Sequence, residues 1–223
     1  LKEIVLSEGV KTIGYGAFYG DTALTSITIP NSVTSIAGSA FYNCTGELIL
    51  NSKSIVETDY SSSGYPTYDS NSWLYGSKLT ALTFGNNIAK IGERVFQNFT
   101  SLKNVTLPSS VTTINPMAFY ACTSLSSVTI PSSVTTIERA AFSDCSSLRR
   151  VNIADLSAWC KITFGSTNNI SYAASDANPL YNGANLYLNG EIMKDMTIPS
   201  DINELKFSTF CGCTSLTNIV IPN

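Results

Sequence analysis

The sequence predicts a repeat solenoid of α/β type, curved, with a parallel β-sheet on one face and turns or short helices on the other, in about nine rungs of 23 residues. Three observations carry that expectation. A phenylalanine recurs every 23 residues, from Phe18 to Phe41 and from Phe96 through Phe119 to Phe142. A proline keeps the same step, Pro108 to Pro131, in register with apolar neighbours. Charge is scarce, at 13% of 223 residues, while 31 Ser and 24 Thr supply about a quarter of the chain. A soluble domain usually carries about 25% charged residues.

Each element of a rung follows from spacing. In Leu125-Ser-Ser-Val128-Thr-Ile130 the last two apolar residues stand at i and i+2, so they face one side of a short strand. The Ser and Thr between them face the other side. Pro131 cannot donate to a ladder and ends the pairing. Val134-Thr-Thr-Ile137 turns a second apolar edge inward. Ala141-Phe142 then suits a helical or 3₁₀ turn whose Phe fills the interior, followed three residues later by Cys145. One such rung cannot bury its own apolar edge, but stacked rungs cover one another. The ladder spacing would be about 4.8 Å.

The same frame reads Leu24, Ile27, Ile29, Pro30, Val33, Ile36, Phe41, Cys44 near the start. Near the end it reads Met196, Ile198, Pro199, Ile202, Leu205, Phe210, Cys213. Two stretches depart from it, about 46–78 and 154–190. They count as variant rungs or insertions within one domain spanning 1–223. With no initiator Met and a stop at Ile221-Pro222-Asn223, the chain is expected to be a segment of a longer protein.

Composition excludes several function classes. A net charge of −3 and a pI near 4.9 argue against a nucleic-acid binder, which needs clustered Lys and Arg. No apolar run approaches the roughly 18–20 residues of a membrane span. With no histidine, a Ser-His-Asp, Cys-His or His-ligated metal site cannot form within the chain. No phosphate-binding glycine loop or nucleophile elbow stands out. The expectation is a protein that is not an enzyme and uses no cofactor or metal.

The Pro after the strand, the Ala-Phe pair and the Cys three residues later resemble the BspA-like (Treponema-type) leucine-rich repeats. The resemblance covers most of the chain. It implies a bacterial secreted or cell-surface protein, an adhesin that binds proteins or glycans of a host or a neighbouring cell. The alternative is a spacer or stalk that presents another domain. A repeat motif specifies a scaffold firmly and a partner hardly at all.

Candidate residues follow. Cys44, Cys122, Cys145 and Cys213 share one repeat position, so parallel side chains make disulfides unfavourable and free, buried thiols are expected. Cys211-Gly-Cys213 offers too few ligands for zinc. Asp59, Asp69, Asp176, Glu191 and Asp195 are the carboxylates that could pair across a cleft. They lie in irregular stretches and read as solvated loop positions. The first irregular stretch, Val56 to Lys78, carries Tyr60, Tyr65, Tyr68, Trp73 and Tyr75 among Ser, Gly and Asp. Such composition suits adaptable recognition loops. It also suits aromatics that plug a gap in the stack, and Trp73-Leu74-Tyr75 is the part expected to be buried. The second, Gly165 to Asn185, carries Tyr172 and Tyr181 and reads either way.

The outward strand residues are the other candidate surface: Thr25, Ser26, Thr28; Lys103, Asn104, Thr106; Ser126, Ser127, Thr129; Arg149, Arg150, Asn152. Stacked, they give a hydroxyl- and amide-lined face with a basic patch from Lys103, Arg149 and Arg150. Repeat proteins bind through such extended faces. A solvated Thr-rich sheet face has the same composition. Both ends begin or stop on a strand, so frayed edges or end-to-end self-association are expected. Asn43, Asn98 and Asn104 stand in glycosylation sequons, which an Asn/Ser/Thr-rich chain forms by chance.

Overall fold

A computed structural model describes residues 2–59, 72–165 and 176–222. The apolar pairs at i and i+2 form the expected strands. Glu3–Val5, Ser26–Ile29, Glu47–Leu50, Ala81–Phe84, Asn104–Thr106, Ser127–Ile130, Arg150–Ile153 and Asn185–Leu188 pair in parallel, one rung to the next. The two-residue strand Glu191–Ile192 folds back antiparallel on the last of them and completes a nine-stranded sheet. The second apolar edge gives a narrower four-stranded ladder, Lys90–Ile91, Thr113–Ile114, Thr136–Ile137 and Thr163–Phe164. Register is set by the hydrophobic pattern, since a one-residue slip would turn the buried row Ile27, Leu48, Leu82, Val105, Val128, Val151 and Leu186 to water.

The repeat phenylalanines stack along the core. Ring centroids lie 5.2 Å apart for Phe96–Phe119 and 5.3 Å for Phe119–Phe142, nearly parallel. Phe18–Phe41 stack at 5.7 Å. Trp73 bridges the irregular rung between them, edge-on to Phe41 at 6.0 Å and to Phe96 at 6.2 Å. Trp73 and Leu74 are buried as expected, and they keep this stack continuous. Tyr75 is half-buried.

The side opposite the sheet differs from a helical reading. The Ala-Phe segment is a turn with left-handed residues two before and two after each Phe: Ser39 and Asn43, Arg94 and Asn98, Met117 and Ala121, Ala140 and Asp144, all with φ between 52° and 59°. This geometry turns alternate N–H groups along the stacking direction. Arg94, Phe96 and Asn98 thus donate to Pro116, Ala118 and Tyr120 of the next rung at 3.1, 2.9 and 2.8 Å. A continued helix would spend those donors within its own rung. Among the described residues, α-helices occur in the irregular rungs, at Lys53–Val56 with Ser52 as N-cap and at Leu156–Lys161 with Asp155 as N-cap.

The hydroxyl residues are more than a solvated coat. Thr25, Thr34, Thr112, Ser126, Thr135 and Thr217 each donate from Oγ to a backbone carbonyl 23 residues earlier, at 2.8–3.3 Å. Each bond spans one rung.

Candidate recognition surface

All six cysteines are free thiols. The interior slot is not purely apolar. Cys44, Cys122 and Cys145 donate from Sγ to the carbonyls of Phe18, Phe96 and Phe119 at 2.8–3.2 Å, each one rung back. Burial pushes the Cys44 and Cys160 thiols up to about 11, and raises that of Cys122 as well. Cys213 keeps the repeat position but is only half-buried and contacts the Ser215 hydroxyl at 3.4 Å.

The carboxylates do not behave as free loop charges. Burial raises Asp59, but hydrogen bonds from Lys90 Nζ at 2.7 Å, the Glu93 N–H at 2.9 Å and Asn115 Nδ2 at 2.7 Å outweigh it and hold the group below the usual range. Asp59 ties the foot of the first insertion to the second ladder. Asp176 accepts the Ala140 N–H, and burial raises its carboxyl. Asp195 accepts the Thr217 hydroxyl at 2.9 Å. These carboxylates are tied to separate parts of the scaffold. Asp69, Tyr60, Tyr65, Tyr68 and Tyr172 lie outside the described residues. Tyr181 is exposed.

The strand face is ordered into two rows by the pairing register. One row runs Glu3, Ser26, Glu47, Ala81, Asn104, Ser127, Arg150, Asn185. In the second, Thr106, Thr129, Asn152 and Tyr187 align. The face therefore carries acids toward one end and a guanidinium toward the other. Lys103 and Arg149 occupy the position before the strand, with Ser126 between them in the repeat. Arg149 Nη1 folds back onto the carbonyls of Ser146 and Leu148, at 3.0 and 2.8 Å. The three basic residues stand in different settings: Lys103 is exposed, Arg149 is tied to its own turn, and Arg150 belongs to the strand face.

Of the neighbours that hold Arg150, sequence reasoning singled out Asn152 but not Tyr187 or Gly190. Its guanidinium carbon lies 3.7 Å from the centroid of the Tyr187 ring. Nε donates to Asn152 Oδ1 at 2.7 Å, and Nη2 donates to the Gly190 carbonyl at 3.1 Å. Asn152 in turn donates from Nδ2 to Ser127 Oγ at 3.0 Å. Tyr187 and Gly190 sit on the hairpin Asn185–Ile192, in the Leu186-Tyr-Leu-Asn-Gly190 segment where the repeat frame fails. The alternation Leu186, Leu188 with Tyr187 between them was the available signal that this ring faces outward.

A second feature also went unread. Tyr19 and Tyr42, each following a repeat Phe, stack at 4.6 Å, and Tyr42 meets Tyr75 of the irregular rung at 5.9 Å. Gly76 lets Tyr42 lie against the backbone, since a Cβ there would come within 2.3 Å of the ring. The rings cover one another's faces, so the row reads as packing across the turns.

Among the described residues no group of three or more His, Cys, Asp or Glu could hold a metal, and no helix is long and apolar enough to cross a membrane.

A parallel solenoid with one strand, one Pro-ended edge and one Phe turn per rung defines a leucine-rich-repeat protein. The BspA type leucine rich repeat region matches in six copies over residues 1–62, 68–181 and 181–223, and the chain belongs to that family. It is similar to a leucine rich cell surface protein of Faecalibacterium prausnitzii, at 28% identity and TM-score 0.44, covering 75% of this chain and 35% of that one. A leucine-rich repeat protein of Bacteroides ovatus is 33% identical at TM-score 0.47, covering 68% of this chain and 37% of that one. The T. pallidum leucine rich repeat protein is 25% identical at TM-score 0.46, over 68% of this chain and 71% of that one. The chain thus spans little more than a third of the first two. No curated protein matches it.

Proposed function

We propose that this solenoid is a noncatalytic recognition module, secreted or displayed at a bacterial cell surface, that binds proteins or glycans of a host or neighbouring cell through its strand face. Membership of the BspA-type family supports this, because leucine-rich-repeat solenoids generally serve as interaction scaffolds. The observation that carries it is the strand face itself. Its polar side chains are aligned by backbone register and end at an Arg150–Tyr187 pair. Arg150 and Asn152, held by hydrogen bonds and by the Tyr187 ring, give up little rotamer entropy on binding. A pull-down against extracellular-matrix and mucin proteins, with a glycan array beside it, tests the reading. Retention of a partner that is lost when Thr106 and Thr129 are both changed to Arg supports it. No retained partner and no glycan signal would sink it.

The spacer alternative rests on the 23-residue hydroxyl-to-carbonyl bonds, which tie rung to rung and spend the hydroxyls of Thr25 and Ser126 on the scaffold. A spacer would tolerate the double Arg change in every binding assay.

A further inference from the structure

Arg150 combines three properties. First, its orientation is fixed. The ring of Tyr187 supports one face of the guanidinium, Asn152 holds Nε, and the Gly190 carbonyl holds Nη2. The donor fork is preorganised, so the ordering cost of binding is already met by folding. Second, its charge is unanswered. The ion pairs among the described residues join Lys53 to Glu57, Lys90 to Asp59, Arg94 to Glu93 and Lys161 to Asp201, and none reaches Arg150. Glu191 on the adjoining hairpin is exposed and makes no ion pair with it. Third, donor capacity remains. A guanidinium has five N–H groups. Nε and one Nη2 proton are used, and Nη1 has no hydrogen bond among the described residues.

The surroundings narrow the partner. The row beside Arg150 offers Ser127 and Asn104 in register, uncharged groups that can bond to a peptide backbone or a hydroxyl. Lys103 stands just before the strand Asn104–Thr106, two rungs away, about 10 Å along the ladder at ~4.8 Å per rung. A segment in the extended polyproline II form advances about 3.1 Å per residue with three residues per turn, so two acids three residues apart face the same side and span about 9 Å. The strand Glu191–Ile192 pairs with the outer side of Tyr187 and Leu188, so a guest chain beside Arg150 meets the side chains of the face.

We propose that the face around Arg150 binds a carboxylate-bearing extended segment of a partner protein, with one acid on the Arg150 fork and a second, three residues on, near Lys103. The inference rests on the recognition reading above and names its ligand chemistry. Nη1 and the remaining Nη2 proton supply a bidentate grip on the first carboxylate, and Tyr187 and Asn152 act as positioning residues.

The test uses fluorescence anisotropy of the whole chain at low ionic strength with two labelled peptides, (Gly-Ser-Asp)5 and (Gly-Ser-Asn)5, and with labelled sialyllactose as a carboxylate from a glycan. The expected result is binding of the aspartate peptide alone, weakened by salt. Arg150→Gln should weaken it about tenfold. Arg150→Lys, which keeps charge but loses the fork, should weaken it nearly as much, whereas Arg149→Gln should leave it unchanged. Thermal melting confirms that each variant is folded, and the Lys variant stands in if the Gln variant is not. Equal binding of both peptides, or equal loss in Arg149→Gln and Arg150→Gln, overturns the proposal. Binding of sialyllactose in place of the aspartate peptide overturns the protein segment as the partner. A protein captured in the pull-down equally by wild type and Arg150→Gln sinks this inference and leaves the recognition reading standing.

Discussion

The rungs over residues 94–153 and those over 156–222 solve one problem in two ways. In the first region every rung repeats the last. Phe96, Phe119 and Phe142 stack nearly face to face, and backbone donors of each turn find carbonyls of the next. In the second region the frame slips and side chains supply the missing partners. Trp159 Nε1 donates to the Thr209 carbonyl at 3.1 Å, and Asn178 Nδ2 reaches the same carbonyl at 3.1 Å. Asn182 Nδ2 reaches back to the Phe142 carbonyl at 3.5 Å. The long sheet ends in the hairpin Asn185–Ile192, and the last strands, Asp195–Thr197 and Asn218–Val220, form a separate pair. Regularity satisfies the backbone cheaply, and irregularity places unusual side chains. Tyr187 and Gly190, which fix Arg150, come from the irregular side of the boundary, while Arg150 comes from the regular side.

That contrast can be broken from either end. The largest effect is expected for Phe119→Ala, which empties the centre of the stack and should cost about 3–5 kcal/mol in chemical denaturation. Trp159→Phe keeps the ring but leaves the Thr209 carbonyl with one partner fewer, for about 1–2 kcal/mol. Its signature is local: faster amide exchange over 195–220 with residues 94–153 unchanged. Equal exchange in both regions would show that they open as one unit.

Alkaline pH should weaken both regions through a buried thiol, Cys122 in the first and Cys160 in the second. Burial raises Cys44, Cys122 and Cys160, so the folded chain keeps protons that the unfolded chain releases. Their contribution is present below pH 9 and declines as pH rises from the ordinary thiol value toward the folded value, about 11 for Cys44 and Cys160. Thiol-reactive probes at neutral pH should label Cys211 and Cys213 first, because they are only half-buried.

Two smaller changes sharpen the regular side. Ala121→Gly relieves a left-handed residue at φ 56° and should stabilise by about 1 kcal/mol, since that region costs an L-residue roughly 1–2 kcal/mol. A loss instead would mean that chain entropy outweighs the strain. Ser126→Ala removes one exposed bond to the Lys103 carbonyl and should cost about 0.5 kcal/mol in the same denaturation assay.

The sequence disclosed the rung because a buried row repeated at one period admits only a stacked ladder. Leu-x-x-Val-x-Ile, the following Pro and the Phe therefore placed strand, edge and core correctly. The turn was less legible. Met117, Ala121 and Arg94 are not residues that announce left-handed backbone, and the reason for it lies in carbonyls one rung away. The cysteine slot was legible, but its carbonyl partner was not. On the face, Arg150 and Asn152 were visible as outward strand residues. The fold of Arg149 onto its own turn was not, nor was the Tyr187 ring beneath Arg150. Both depend on contacts that the spacing of a single rung does not contain.

The hydroxyl-to-carbonyl bonds have a consequence for how such a chain can change length. Each joins a residue to the one 23 positions before it, and the same donor recurs in rung after rung. Duplicating or deleting one whole unit leaves every surviving donor opposite a carbonyl of the right kind. Residues added within a rung must instead be looped out for the bond to survive, as where Thr214 reaches the Gly183 carbonyl 31 residues back. The protein can therefore lengthen its reach by copying a unit of its own gene, and the face it presents grows one row at a time without being redesigned.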